Sequence, residues 1–413
     1  MNNSHYKTPS KFIIYLVILT HFITGCAGTM GPQSGAMDVG PQASTTFEQS
    51  QQVSHALPEL EVVIPVFSPG LSDKEANYEE EGVWPELRRA EANRFAYKLK
   101  TALDETGQFG AVRVTPNNTA SGDVYILGEI NESNGQEISF GMNVVDISGT
   151  QWLNKTIKHE VSEGFFKNPR NDGKDPYDPA FEQAANEIVE ALQKRNANEL
   201  RQLQNIAELR FAASFNEQAF MPHLDTSRNQ VRLVSMPSDA DPMFERVRSI
   251  RVQEQLFVDN LQPTYSQFSN QMENSYLAWQ EASFTEAQLR REARRKSALQ
   301  MIGGAALITA AVAMAFSGNN QNRNFGREVA TVAGGVGGAV LLSSGFKSRD
   351  EARFHQSALN EMGESINLEM APQVVTLEEE SVELTGDIAQ QFQQWRAFLN
   401  RMYELEATPD RQL

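Results

Sequence analysis

The sequence predicts an α+β protein: a small α/β sandwich domain, with a mixed sheet carrying helices on one face, followed by a mostly helical region that holds an apolar Gly/Ala-rich helical hairpin. Three observations carry this. Between 60 and 192, β-branched runs alternate with two amphipathic stretches in the order strand, helix, four strands, helix. From about 198 to 300, apolar residues recur at three-four spacing, interrupted at 221–242. Residues 298–316 and 329–346 are the most apolar parts of the chain after its first 25 residues, and each is near the length of a bilayer-spanning helix.

The chain opens on a short basic segment, with Lys7 and Lys11, and an apolar run at 12–24. That run has the length of a secretory signal and falls short of the ~20 residues a membrane-spanning helix needs. It ends at Ile23-Thr24-Gly25-Cys26, and Cys26 is the only cysteine. Residues 27–56 are rich in Gly, Ser, Gln and Pro without periodicity, so 26–56 reads as a flexible tether with a span of roughly 30 Å.

The α/β domain is expected over 57–197. LEVVIPVF (60–67) is a buried strand closed by Ser68-Pro69-Gly70. The helix after it starts at Pro85 and stops at Gly107, with Phe95, Leu99, Ala102 and Leu103 inward and Arg88, Arg89, Lys98 and Lys100 outward. AVRVT, DVYILGEI, ISFGMNVVDI and QWLNKTIKHEV supply four more strands, the last two joined by a turn at Ser148-Gly149-Thr150. Asp178 and Pro179 open a helix that buries Ala184, Ala185, Ile188, Val189 and Leu192.

The helical region spans 198–297. Leu200, Leu203, Ile206 and Ala213 fall at roughly heptad spacing, and Leu261, Tyr265, Phe268, Met272, Tyr276 and Trp279 form an aromatic stripe. Helix packing explains such a stripe far better than a ligand box does, and long Gln- and Glu-rich helices also use one to seat against other copies. RREARRK (290–296) is a basic collar directly before the apolar stretch.

The hairpin, 298–346, carries a glycine-zipper-like face of small residues: Gly303, Ala306, Ala310 and Ala313 in its first half, Gly334, Gly335 and Gly338 in its second. Such stripes let helix backbones approach closely. Neither half has a stripe of larger polar residues, which argues against an aqueous channel wall. In one reading the hairpin inserts into the membrane or packs with hairpins of sister chains; in the other it is the buried centre of a soluble helical domain. The tail, 347–413, predicts an extended stretch with Val382 and Leu384 on one face. A last helix follows, capped by Asp387, with Ile388, Phe392, Trp395, Leu399 and Met402 along one side.

Composition removes several functions. A net charge of −17 repels nucleic-acid phosphates, so no nucleic acid is expected as a partner. One cysteine excludes an internal disulfide and a thiolate metal cluster. His55, His159, His223 and His355 are scattered singly, and no Gly-x-Ser-x-Gly elbow occurs. GGVGGAVLLSSGFKS misses a phosphate loop because Phe346 stands where lysine is required. Asp172, Asp175 and Asp178 lack the spacing of a calcium loop and read as a solvated linker. No catalytic residue, metal or cofactor is expected.

ITGC resembles the lipobox of bacterial lipoproteins, with Ile for the usual Leu; the other reading is an ordinary signal peptide with a chance cysteine. The resemblance implies cleavage of a signal peptide at 1–25 and acylation, palmitate included, of Cys26. Ala27, in place of the aspartate of inner-membrane retention, implies a lipid anchor in the outer membrane facing the periplasm. The pieces VVIPVF, ALDETGQFGAVRV, SGDVYILGEI and VVDISGTQW are similar to the N-terminal domain of the Tol–Pal translocation protein TolB. They are also similar to periplasmic domains of the curli-secretion lipoprotein and of lipoprotein activators of penicillin-binding proteins. The acidic LSDKEANYEEEG replaces the usual Gly/Asn loop, which implies a different partner. These likenesses imply a non-enzymatic scaffold or assembly component of an envelope complex, and the helices and hairpin are expected to form homo-oligomers. Alternatives are a subunit of an outer-membrane secretion or export pore, or an activator of a peptidoglycan synthase.

Overall fold

The computed structural model of the protein describes residues 57–71, 83–303, 370–377 and 380–407. Strand β1 (Glu61–Pro65) forms where β-branched residues are consecutive, and it is buried along almost its whole length. Helix α1 (Pro85–Thr106) has proline in its first turn. It stops where Gly107 takes φ 60° and donates its N–H to the Asp104 carbonyl, the left-handed cap that glycine adopts without a Cβ penalty. The crossover returns β2 (Ala111–Thr115) parallel to β1, in register Val62 to Val112. β3 (Val124–Ser133) lies parallel on the other side of β1. β4 (Glu137–Asp146) and β5 (Gln151–Glu160) follow antiparallel, joined through Gly149. The sheet order is β2-β1-β3-β4-β5.

Helix α2 (Asp178–Gln193) packs beside α1, and both cover one face of the sheet. Their shared core is aromatic, with ring centroids 5.2 Å apart for Phe95 and Phe181 and 5.5 Å for Phe140 and Phe181. The opposite face carries Leu127, Glu129 and Asn131 of β3 to the surface. The predicted mixed sheet with helices on one face is therefore present.

Helix α3 (Ala197–Phe215) starts on a capping box, Asn196 with Glu199. A short helix α4 (Glu217–Phe220) precedes the predicted interruption, which holds the two-residue strands β6 (Leu224–Asp225) and β7 (Arg232–Leu233). Helix α5 (Pro242–Gly303) then runs for 62 residues, about 93 Å at 1.5 Å per residue. Pro263 stands inside it and denies the Asp259 carbonyl its helical partner. The helix continues because Leu261 and Tyr265, buried on either side, hold both turns to the body of the protein. Strands β8 (Gln373–Leu377) and β9 (Glu380–Leu384) form a hairpin, and α6 (Ile388–Ala407) lies on α5. Phe257 stacks on Trp395 at 5.4 Å and on Phe392 at 6.3 Å. The expected cap of α6 is present as a reciprocal pair: Asp387 accepts from the Gln390 N–H and Gln390 accepts from the Asp387 N–H.

Three expectations change. Arg88, read as outward, is buried against Glu91. Asp178 is not the cap of α2; Tyr177 holds that position, and Asp178 receives Lys98 at 2.8 Å. The stripe from Leu261 to Trp279 is buried within its own chain, so it is not a face for other copies. Helix α5 crosses the basic collar and enters the apolar segment that begins at 298 without a break.

Candidate functional site

Among the described residues, buried charge is concentrated between α1, α5 and the loop before α2. It begins with local sequence. Glu91, Arg94, Phe95 and Lys98 fall at three-four spacing on α1, so charged groups share a face with the core phenylalanine. Helix α5 meets that face with Ser269, Glu273, Tyr276 and Gln280, again one face at three-four spacing. The loop contributes Asp175 and Tyr177.

Arg94 is the centre, with a side chain at 0% exposure. One terminal nitrogen donates to Asp175 Oδ2 at 2.6 Å and lies 2.6 Å from Glu273 Oε2. The other donates to the Ser269 carbonyl at 3.0 Å and its hydroxyl at 3.2 Å. The guanidinium also sits 4.8 Å from the centre of the Tyr276 ring. Asp175 completes its coordination by accepting from the Gln280 amide at 3.0 Å and the Tyr177 N–H at 2.9 Å, with Lys98 3.5 Å away. Burial works against its ionised form, yet Arg94 and then Lys98 hold its pKa down at about 2. Burial, followed by the Asp175 charge, pushes Asp178 up to about 6.

A second shell of contacts surrounds Glu91. Its Oε1 accepts from Ser133 at 2.5 Å and from the Tyr276 hydroxyl at 2.7 Å. Burial raises its pKa against the pull of Arg88 at 3.7 Å. The Tyr177 hydroxyl accepts the Gly135 N–H at 2.7 Å and donates to the Glu137 carbonyl at 3.3 Å. Gly135 has φ +80°, and a Cβ there would lie 2.5 Å from Ser283 Cβ, so only glycine lets α5 approach the β3–β4 turn this closely.

Further along, α5 seals the β2 edge of the sheet. Gln262 accepts the Val114 N–H and donates to the Val114 carbonyl, both at 2.9 Å, as a neighbouring strand would. Arg113 pairs with Asp259 at 2.6 Å, Arg251 with Glu61 at 3.3 Å, and Glu254 accepts the Ser121 N–H at 2.8 Å.

The chemistry this supports is cross-linking. Arg94, Asp175, Tyr177 and Tyr276 are at most 2% exposed and bind mainly to one another and to their neighbours, while Arg94 Nε, Glu91 Oε2 and Gln280 Oε1 have no hydrogen-bond partner among the described residues. Among the described residues, no three His, Cys, Asp or Glu side chains converge as a metal set. Asp175 is buried and paired with Arg94 and is not part of a solvated linker. Cys26, Ala306, Ala310, Ala313, Gly334, Gly335 and Gly338 lie outside the described residues; Gly303 is the last residue of α5. Among the described residues, no helix is long and apolar enough to cross a membrane. The sequence reading missed Arg94, Glu91 and Tyr177. The available signal was the charge sharing a helix face with Phe95, which by itself does not say what it meets. No family model, curated protein or solved structure matches the chain.

Proposed function

We propose that the protein is a non-enzymatic lipoprotein, anchored in the outer membrane through acylated Cys26 and facing the periplasm, that serves as a scaffold or assembly component of an envelope complex. The observation that carries this reading is the continuity of α5. The helix is locked to the α/β domain by a buried ion network and runs on through the basic collar into the apolar segment that begins at 298. Such an arrangement transmits position. Where the partner-binding domain sits then depends on where the apolar segment sits, and the buried network favours one orientation over many. Acyl chains contribute about 0.8 kcal/mol per buried CH₂, enough in combination for a stable anchor.

The test is acyl labelling and fractionation. Metabolically supplied palmitate should label the wild-type chain and leave Cys26→Ser unlabelled. The wild type should float with outer-membrane vesicles. Deletion of 298–346 from the Cys26→Ser chain should lower its residual membrane or self-association. An unlabelled wild-type chain found free in the soluble fraction overturns the proposal.

A further inference from the structure

A cleft of about 510 Å³ lies where the β4–β5 turn, the start of α3 and strand β7 meet, lined by none of the residues of the charge cluster. Its volume is in the range of small-ligand sites. Leu203 and Ile206 of α3, with Val231 and Leu233, supply apolar lining. The turn is fixed from beneath, since the Ser148 carbonyl accepts the Val231 N–H at 2.8 Å and the Ile147 carbonyl accepts from Arg210 at 2.6 Å.

The cleft's charges are not equally occupied. Asp146 is saturated: one oxygen accepts from the Ser148 N–H and hydroxyl and the Thr150 N–H, the other from the Trp152 indole at 2.7 Å. Glu199 is held in the cap of α3. Arg232, opposite Asp225 in the β6–β7 register, is exposed to solvent. Arg195 differs. Its guanidinium rests 5.1 Å from the centre of the Trp152 ring, and its buried Nε donates to nothing among the described residues. A planar cation, held flat by an indole beside an apolar floor, has the geometry that recognises a carboxylate through two parallel N–H bonds. The nearby Asp146 and Glu199 charges oppose a dianion such as phosphate more strongly than a single carboxylate, which the guanidinium stacked on Trp152 can receive.

We infer that this cleft binds a peptide's terminal carboxylate beside an aliphatic side chain, with Arg195 receiving the carboxylate and the Leu203–Ile206 floor receiving the side chain. The site stands apart from the anchor at Cys26 and is testable whether or not that anchor forms.

Trp152 provides the reporter. The full chain in detergent micelles, labelled with ¹⁵N-tryptophan, gives four indole signals, and Trp152→Phe assigns one of them. Two matched probes are titrated: N-acetyl-leucine, which carries the carboxylate, and N-acetyl-leucinamide, which does not. The expected result is a saturable shift of the Trp152 signal with the acid, in the millimolar range suited to so small a ligand, and at least tenfold weaker binding of the amide. Arg195→Gln should abolish the preference while leaving the other three indole signals in place. Should that variant not fold, Arg195→Lys keeps the charge and loses the fork, and acid binding should weaken several-fold. Equal binding of the two probes, no shift with either, or full acid binding by Arg195→Gln each overturns the inference.

Discussion

Replacing Arg94 by methionine removes the charge at the centre of the network and keeps much of the side chain's length. The consequence depends on what the partners do afterwards. Glu273 is 31% exposed and can recover water. Asp175 is 2% exposed and cannot. Lys98, 3.5 Å away, compensates only in part, and the Ser269 carbonyl and hydroxyl lose a donor. Breaking a buried pair from one side costs about 3–5 kcal/mol. Because one of the two carboxylates is relieved by solvent, the expected loss is at the lower end, about 3 kcal/mol, or roughly 6–12 °C in Tm. The assay is urea denaturation and thermal melting at neutral pH, with hydrogen exchange across 265–285 to see whether α5 loosens locally. Arg94→Met combined with Asp175→Asn removes both charges and should recover at least half of the loss. Acid dependence supplies an independent check. A carboxylate held down at about 2 contributes stability that is complete above its ordinary value of 3.8 and disappears as pH falls through about 2, an effect of about 2 kcal/mol. Arg94→Met should shrink that acid-sensitive portion. The reasoning is refuted if the single variant costs under about 1 kcal/mol, the value of a surface pair, or if the double variant is no more stable than the sum of the two singles predicts.

Asp123 tests the opposite sign: burial pushes it up to about 6, so its ionisation penalises the folded state by up to about 3 kcal/mol, absent below pH 4 and complete above pH 6. Asp123→Asn keeps the acceptor for the Glu61 N–H and should flatten the stability profile between pH 4 and 6, measured by urea midpoints. Gln262→Leu leaves the Val114 N–H and carbonyl without their edge partner and should cost about 1–3 kcal/mol, with faster exchange of the Val114 amide. Trp395→Ala should cost about 3–5 kcal/mol by opening the α5–α6 contact, whereas Trp395→Phe should cost under about 1.5 kcal/mol, because the buried indole N–H has no partner to lose. Gly135→Ala should weaken the α5 contact at Ser283 and raise protease sensitivity near 283, since both φ and the 2.5 Å approach exclude a Cβ.

How far the sequence could be read depends on whether the information was local. Pro85 and Gly107, the Gly149 turn and the Asp387 cap act on their own neighbours, and each was legible where it stands. The strand order was legible in part, because a strand–helix–strand unit demands a parallel pair and two alternating runs joined at Gly149 demand a hairpin. The candidate site was not. Arg94 meets Ser269 across 175 positions and Tyr276 meets Glu91 across 185, and periodicity within one helix cannot name a partner so far away. The default for a charged residue on a helix is the solvent face, which is why Arg88 and Lys98 were placed outward and Asp175 was read as solvated. One pattern does contain the missing information. The α5 face carries Ser269, Glu273, Tyr276 and Gln280 among Phe268, Met272 and Trp279, so polar residues there are embedded in an apolar stripe. Embedded polar groups must be hydrogen-bonded or paired, and a helix that bears them needs a partner face of complementary charge. Helix α1, with Glu91, Arg94 and Lys98 around Phe95, is such a face. Complementarity between two mixed-polarity helices thus predicts the α1–α5 contact, and with it the fixed placement of α5 on which the proposed role as a scaffold depends.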